Sequence, residues 1–224
     1  LANEDAARRA LAQQAERALA AERLAAENKE LRGLLELKPA LAVKSQAAQV
    51  MYEAADPFSR KIYIDRGLAQ GLVAGAPVVT EAGVIGQVTR VYPLSSEVTL
   101  LTDRNAAIPL LNQRTQQRAA AFGGVEQGSA MELRFVAANA DVKEGDLLQT
   151  SGVDGVYPAG LPVARIKTVE RQAEGGFARI TLAPVAAVDG VRHVLVLEPL
   201  REQLPPPPAP QPASAPKAAK GKKP

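Results

Sequence analysis

The residues that could carry out acyl-transfer chemistry are few and poorly placed for it. His193 is the only histidine of the chain, and it falls in an apolar run that is predicted to be the last strand. A serine hydrolase needs a base beside a nucleophilic hydroxyl, with an acid behind it. Chymotrypsin-type order puts the histidine first, yet only the tail serine Ser214 follows His193, and Ser151 lies before it in a predicted loop. We therefore interpret His193 as an outward polar residue of an edge strand.

Metal, phosphate and glycosidase chemistry find no better support. The chain has no cysteine, which leaves carboxylates as ligands, and no calcium-type Asp-x-Asp-x-Asp-Gly loop is present. The stretch Gly83-Val-Ile-Gly86 lacks the Lys-Ser/Thr of a phosphate loop and opens a strand. Aspartates such as Asp56, Asp103 and Asp154 occur in turns, where their side chains bond nearby backbone N–H groups. The sequence therefore predicts no catalytic, metal or cofactor site, and favours a binding or scaffolding protein over an enzyme.

The elements that would position any site are mostly short strands. In Lys61-Ile-Tyr-Ile-Asp65 the two isoleucines face one side and the polar residues face the other, which is typical of a half-buried strand. Similar runs, separated by Gly, Pro, Asp and Asn, recur up to about Leu200. An all-β sandwich or barrel is expected, with candidate strands at 48–52, 61–65, 77–80, 84–91, 97–101, 107–111, 119–122, 131–135, 147–150, 162–169, 178–182 and 193–197.

An internal repeat suggests that the β region forms two domains. Gly71-Leu-Val-Ala-Gly75-Ala-Pro-Val-Val is followed by Gly83-Val-Ile-Gly86, and Asp141-Val-Lys-Glu-Gly145-Asp-Leu-Leu is followed by Gly160-Leu-Pro-Val. Each copy has a turn closed by glycine, a strand, and then a strand that begins with glycine. Two unrelated turns could also produce this match. We predict a first β-barrel region at 44–115 and a second at 116–200, with strands that could be interleaved between them.

The first 38 residues form a different kind of element. They contain no proline and one glycine, and good helix formers fill them until Pro39. Leu24, Asn28, Leu31 and Leu35 step by four, three and four, which is the core spacing of a heptad, and an Asn at an a position favours a parallel dimer. We predict a dimeric coiled coil at 1–38. The alternative is a solitary helix that packs on the globular part.

Charge and hydropathy indicate what kind of segment lies at each end of the chain. Residues 201–224 hold eight of the 17 prolines and most of the excess of bases, so they are predicted to be a disordered tail. The other 22 bases and 23 acids nearly cancel, which argues against nucleic acid as a partner. No run of 18 apolar residues occurs. Because the chain starts at Leu1 inside a helical pattern, we expect the soluble part of a longer protein.

Several motifs, in this order and spacing, resemble the bacterial MreC family of rod-shape-determining proteins. The resemblance extends from about Glu27 to Leu197. It is carried by Glu27-Asn28-Lys-Glu-Leu31-Arg-Gly-Leu34-Leu35, Asp56-Pro57-Phe-Ser-Arg60-Lys-Ile-Tyr-Ile-Asp65-Arg-Gly67, the first repeat copy with Gly83-Val-Ile-Gly86-Gln-Val88, Val98-x-Leu-Leu-Thr102-Asp103, Gly145-Asp-Leu-Leu-x-Thr150-Ser151-Gly152 and Pro158-x-Gly160-Leu-Pro-Val163.

The resemblance implies a mainly β protein that is not an enzyme. It implies one inner-membrane helix ahead of this chain, a dimerising coiled coil, and two small β-barrels in the periplasm, arranged like a chymotrypsin barrel pair without the catalytic residues. The dimers are expected to assemble further, as filaments for instance. The implied partners are MreB, MreD, RodZ and the transpeptidase that cross-links peptidoglycan during elongation.

Exposed strand edges and apolar loop residues are the expected docking surface for that transpeptidase, through β-augmentation or a small hydrophobic patch. We select Phe58, Tyr63, Tyr92 and Tyr157 as partner-binding residues, with burial inside a barrel as the alternative for each. A periplasmic adaptor of an efflux or secretion system is the competing function, and it requires a second long helix after Pro39. A protease relic with residual activity would instead depend on Ser151 or His193.

Overall fold

The structure is a computed structural model that describes residues 2–40, 43–56, 59–124, 131–171 and 176–199. Helix α1 (Ala2–Ala40) comes first, with its side chains described at 13–36. Within these ranges twelve strands follow, and a single 3-10 turn lies at Leu68–Gln70. Phe58 and the predicted tail at 201–224 lie outside the described residues. No helix in the described part of the chain combines the length and apolar content needed to cross a bilayer.

All twelve predicted strands are present, with ends that differ by a few residues at most. The second long helix that an adaptor requires does not occur among the described residues, where α1 is the only α-helix. The strands are β1 (Ser45–Glu53), β2 (Lys61–Ile64), β3 (Pro77–Thr80), β4 (Gly83–Val91), β5 (Ser96–Leu100), β6 (Ala107–Asn112), β7 (Arg118–Gly123), β8 (Met131–Ala137), β9 (Leu147–Thr150), β10 (Pro162–Arg171), β11 (Phe177–Pro184) and β12 (His193–Leu197).

These strands form two closed six-stranded barrels. Barrel 1 has the circular order β12-β1-β2-β5-β4-β3, and barrel 2 has the order β6-β7-β8-β11-β10-β9. Alternation puts one face of each strand inside: Ile62 and Ile64 are at most 2% exposed in barrel 1, as the sequence predicts. In barrel 2 the interior is filled by Ile108, Leu110 and the apolar residues of β8, β10 and β11.

The predicted boundary at residues 115 and 116 is wrong. β6 pairs with β7 and β9, so it belongs to barrel 2, whereas β12 pairs with β1 and β3 and closes barrel 1. Barrel 2 is therefore inserted between β5 and β12. His193 begins β12, which has neighbours on both sides, and the prediction of an edge strand for it is also wrong.

The two barrels share one connectivity, with the first circularly permuted. If β12 is counted as the first strand of barrel 1, both circular orders become 1-2-3-6-5-4. The internal repeat follows this equivalence: β3 and β4 carry the first copy, and β9 and β10 occupy the corresponding positions in barrel 2. The barrels also touch through equivalent strands, since β4 contacts β10.

Gly83 lies at a close backbone contact between the two barrels. Its φ of 150° is one that favours glycine, and a Cβ at this position would overlap the carbonyl oxygen of Pro162 at the start of β10. Val79, Val84, Leu195 and Leu197 of barrel 1 join the core cluster of barrel 2 at this contact. The glycine therefore lets two backbones meet where any side chain would separate them.

Helix α1 is attached to barrel 1 by one face near its end. Leu34 is 4% exposed and joins the shared core cluster. Glu30 Oε1 accepts a hydrogen bond of 3.0 Å from the backbone N–H of His193. The carboxylate of Glu81 lies against the Cα side of Gly33, where a Cβ would overlap it. The helix is therefore fixed relative to β12 and to the turn that follows β3.

We expect Gly83→Ala to lower the free energy of unfolding by about 2–4 kcal/mol, because the added methyl group strains the backbone and separates the two barrels. Urea denaturation followed by circular dichroism measures this loss. Gly176→Ala is the matched control, since a Cβ at Gly176 meets no atom within 4 Å. Equal stability of the two variants would contradict the close contact at Gly83.

A candidate partner-binding groove on barrel 1

The structure brings two of the predicted partner-binding residues, Tyr63 and Tyr92, into one groove on the outside of barrel 1. The groove has a volume of about 670 Å³. Register places its residues side by side: Tyr52 of β1 pairs with Tyr63 of β2, and Tyr63 pairs with Glu97 of β5. Tyr92, which follows β4, closes one end.

A second, separate cleft of about 780 Å³ lies between barrel 1 and the end of helix α1. Leu35 of the predicted coiled-coil seam lies beside that second cleft, together with Leu72 and Val196. The groove that holds the tyrosines is called the tyrosine groove below, and its residues are Tyr52, Glu53, Lys61, Tyr63, Tyr92 and Glu97, with residues 54–56, 59 and 95 at its margin.

Stacked aromatic rings form one wall of the tyrosine groove. The rings of Tyr52 and Tyr63 lie with their centroids 4.7 Å apart and their planes at 24°. Tyr52 is 56% exposed and Tyr92 is 39% exposed, so both offer apolar surface to a partner. Tyrosines that keep one polar end in water and one apolar face uncovered are enriched in protein interfaces.

A buried carboxylate fixes the floor of the groove. Glu97 is 3% exposed, and it accepts hydrogen bonds from Lys61 Nζ at 3.0 Å, Tyr63 Oη at 3.1 Å and Thr89 Oγ1 at 3.0 Å. Burial alone would raise its pKa, but these three donors together hold the pKa of Glu97 below its usual value. The same contact raises the pKa of Tyr63, whose hydroxyl donates to the carboxylate. The hydrogen bond to Glu97 therefore holds the hydroxyl end of Tyr63 in place.

The structure corrects the prediction for Tyr157. Tyr157 is 3% exposed and belongs to the core cluster of barrel 2, so it is not available to a partner. The turn before it explains the burial: Asp154 Oδ1 accepts hydrogen bonds from the backbone N–H groups of Val156 and Tyr157, which directs the ring inward. Desolvation raises the pKa of this phenol.

Sequence reasoning missed Tyr52 and Glu97. Both lie in predicted strands, but neither stands out until cross-strand register places them beside Tyr63. The β1–β2 pairing also shifts between Val50 and Tyr52, and such a bulge is not readable from alternation alone. Only Lys61-Ile-Tyr-Ile gave a signal, because it puts Lys61 and Tyr63 on the outer face.

The residues considered for catalysis are not brought together. Ser151 follows β9 of barrel 2, whereas His193 begins β12 of barrel 1 and contacts helix α1 through Glu30. Within the described ranges no group of three His, Cys, Asp or Glu side chains could hold a metal ion. The predicted seam residues Leu24, Asn28, Leu31 and Leu35 are all exposed on α1.

The chain has one long helix and two six-stranded barrels, the first of them circularly permuted, with an aromatic groove on the outside of the first barrel. These features define a double-barrel protein that begins, among the described residues, with a helix that is not membrane-spanning. Residues 50–198 match the family model described as rod shape-determining protein MreC, barrel core. This chain belongs to the MreC family.

Relatives and solved structures agree with this assignment. The cell shape-determining protein MreC of Escherichia coli (strain K12) is 34% identical over 171 residues, which cover 76% of this chain and 46% of the relative. The crystal structure of MreC from Pseudomonas aeruginosa matches with a TM-score of 0.65 and 38% identity, over 68% of this chain and 98% of that one. The chain spans about half the length of the curated relatives it matches.

Two more distant structures share the fold. One is the major periplasmic domain of the cell shape-determining filament MreC, with 21% identity, a TM-score of 0.59, and coverage of 70% of this chain and 96% of that one. The other is a complex between a penicillin-binding protein (PBP2) and MreC from Helicobacter pylori, with 15% identity and a TM-score of 0.55, over 69% of this chain and 98% of that one.

We expect Glu97→Gln to lower the free energy of unfolding at pH 7 by about 1 kcal/mol, because a neutral amide binds Lys61 less strongly than a carboxylate does. The folded pKa of Glu97 lies below its ordinary value of 4.5. Its contribution is therefore present above that value and is lost as the pH falls through the folded pKa.

Urea denaturation of the wild type and Glu97→Gln between pH 7 and pH 2.5 measures this effect. The difference in stability between the two should shrink as the pH falls below the ordinary pKa. A difference that stays constant down to pH 2.5 would contradict the role assigned to the ionised carboxylate.

Proposed function

We propose that this chain is the periplasmic part of a non-enzymatic cell-shape scaffold, anchored by a single helix in the inner membrane. It dimerises through helix α1 and binds a peptidoglycan transpeptidase of the elongation machinery through the tyrosine groove. Membership of the MreC family is the observation that carries this proposal. MreB, MreD and RodZ are the further partners that we propose on the same ground.

The exposed face of helix α1 supports dimerisation. Leu24 is 58% exposed, Leu35 is 67% exposed and Leu31 is 38% exposed, although the helix is packed on barrel 1. At about 100° per residue, the centre of this face lies roughly 140° around the helix from the face formed by Glu30, Gly33 and Leu34. Two copies can therefore pair along the leucines without releasing either barrel, and the pairing covers apolar area that is otherwise in water.

The chemistry of the tyrosine groove supports protein binding. Three tyrosines provide contact area with few rotatable bonds, so little side-chain entropy is lost on binding. Glu53 in the groove and Asp56 at its margin add negative charge, which favours a partner segment that carries basic and apolar side chains. The Helicobacter pylori complex contains a penicillin-binding protein with a member of this family, and we extend that partner class to this chain.

A scaffold changes the activity of an enzyme only by binding one of its conformations more tightly than another. A transpeptidase that is held by the groove in its active conformation would be activated by that difference in affinity. No catalytic group of this chain is needed for such an effect, and the anchoring of His193 to the helix agrees with a structural role for the only histidine.

The seam predicts a specific change in oligomeric state. We expect the wild type to sediment as a dimer at tens of micromolar, and Leu31→Ala/Leu35→Ala to weaken dimerisation by at least about tenfold, because each truncation removes buried apolar area in both copies. Analytical ultracentrifugation measures this. Leu19→Ala is the matched control, since Leu19 is 67% exposed on the same helix but lies outside the seam. A monomeric wild type at high micromolar concentration would refute the coiled coil.

The tyrosine groove predicts where the transpeptidase binds. We expect Tyr52→Ala/Tyr92→Ala to weaken binding of the purified elongation transpeptidase from the same organism by at least about tenfold, since buried aromatic anchors dominate interface energies. Surface plasmon resonance measures the affinity. Leu68→Ser is the control, because Leu68 is a 67% exposed residue of barrel 1 outside the groove. Unchanged binding of the tyrosine variant would place the partner on another surface.

A further inference from the structure

Phe135 of barrel 2 is exposed against the pattern of its own strand. Alternation along Met131-Glu-Leu133-Arg-Phe135 would bury Met131, Leu133 and Phe135 together, and the first two are at most 4% exposed. Phe135 is instead 76% exposed, and its φ is 61°. A bulky residue in the left-handed region is strained. The β8–β11 register shifts between Ala178 and Ile180, which is the irregularity that turns this ring outward.

A second aromatic ring lies beside the first. Phe177 begins β11, is 59% exposed, and meets Phe135 edge-to-face with the ring centroids 6.2 Å apart. Neither ring carries a polar group, so neither forms a hydrogen bond with water that would offset the exposure of its apolar surface. An apolar pair that is held in solvent by a strained backbone is typical of an interaction surface.

A small pocket, lined by both apolar and polar side chains, adjoins the ring of Phe135. Its volume is about 260 Å³, and Phe135 forms part of its wall. The other apolar lining comes from Leu133, Val136, Val142 and Leu148. This volume suits one or two inserted side chains, whereas a flat surface such as a bilayer would leave it unfilled. Phe135, Phe177 and this pocket together are called the phenylalanine patch.

The surroundings of the phenylalanine patch are basic on balance: three arginines lie there with two glutamates, Glu132 beside Arg134 and Glu170 opposite Arg179. Arg118 and Arg134 line the pocket with Phe135, and Arg179 lies two residues after Phe177 on the same outer face of β11. The guanidinium of Arg134 lies 4.6 Å above the ring centroid of Phe122 and is paired with Glu132 at 2.5 Å, so it is held in place. A partner that carries carboxylates is complementary to this surface.

We propose that the phenylalanine patch is a second docking site, which takes a segment of another protein that has a large apolar side chain flanked by acidic residues. The apolar side chain enters the pocket beside Phe135, and the carboxylates face Arg118 and Arg134. This site lies on barrel 2 and is basic, whereas the tyrosine groove lies on barrel 1 and is acidic at its margin. The two sites therefore select partners of opposite charge.

The charge of the chain's own tail argues against the tail as the occupant. Residues 201–224 carry five bases and one acid, so the arginines around the patch repel them on balance. The same arginines would also attract an anionic lipid surface. The pocket favours a protein segment instead, because an inserted side chain can fill it and a flat lipid surface cannot.

The site can be tested by panning a phage-displayed random dodecapeptide library on the wild-type chain, with counter-selection on Phe135→Gly/Phe177→Ser. Glycine suits a φ of 61°, so this variant removes both rings without adding backbone strain at position 135. We expect enriched peptides to combine a large apolar residue with two or more Asp or Glu. Synthetic copies should bind the wild type at least tenfold more tightly than the double variant, and more weakly in high salt.

Two further variants separate the possible results. Val153→Ser, at a 61% exposed apolar residue of barrel 2 outside the patch, should bind the peptides like the wild type. Arg118→Glu should lose at least tenfold in affinity and regain it toward peptides whose acids are replaced by lysine. The proposal is overturned if no enriched peptide depends on the two rings for binding. It is also overturned if the enriched peptides lack acidic residues. A third result would favour a membrane surface and overturn the proposal: the wild-type chain sediments with phosphatidylglycerol vesicles, and the Phe135→Gly/Phe177→Ser variant does not.

Discussion

The pairing of β12 with β1 and β3 is the constraint on which the rest of the structure depends. A sheet closed into a barrel has no free edges, and barrel 1 reaches closure only through this strand, which arrives after the whole of barrel 2. β12 also provides the backbone N–H that binds Glu30 of helix α1. One strand of five residues therefore joins the helix, the first barrel and the return from the second barrel.

The helix transmits this constraint to the proposed dimer. Leu34 and Glu30 attach one face to barrel 1, while the seam leucines lie on another face of the same turns. Because a helix is stiff over these few turns, the position of barrel 1 relative to a dimer axis follows from the angle between the two faces. The tyrosine groove and the phenylalanine patch are carried on barrels that contact each other through β4 and β10, so both surfaces have defined places in such a dimer.

Local pattern was enough to predict the elements but not their partners. Alternation located all twelve strands, and it placed Ile62 and Ile64 inside and Tyr63 outside. The barrel to which β6 and β12 belong depends on pairing between distant residues, which alternation does not encode. Phe135 shows the same limit at a single residue, because a bulge reversed the side predicted by its neighbours. Tyr157 was misjudged since the Asp154 turn, and not the polarity of the segment, decides its burial.

The circular permutation of barrel 1 has a consequence for how the chain folds as it is synthesised. β1 to β5 emerge first, but the edges of β1 and β3 stay unpaired until β12 arrives. Barrel 2 has all six of its strands in one continuous stretch from β6 to β11 and can close before that. Contacts between strands so far apart in sequence form slowly, and open strand edges are prone to pair with other chains. The first barrel to be translated is thus the last to be completed.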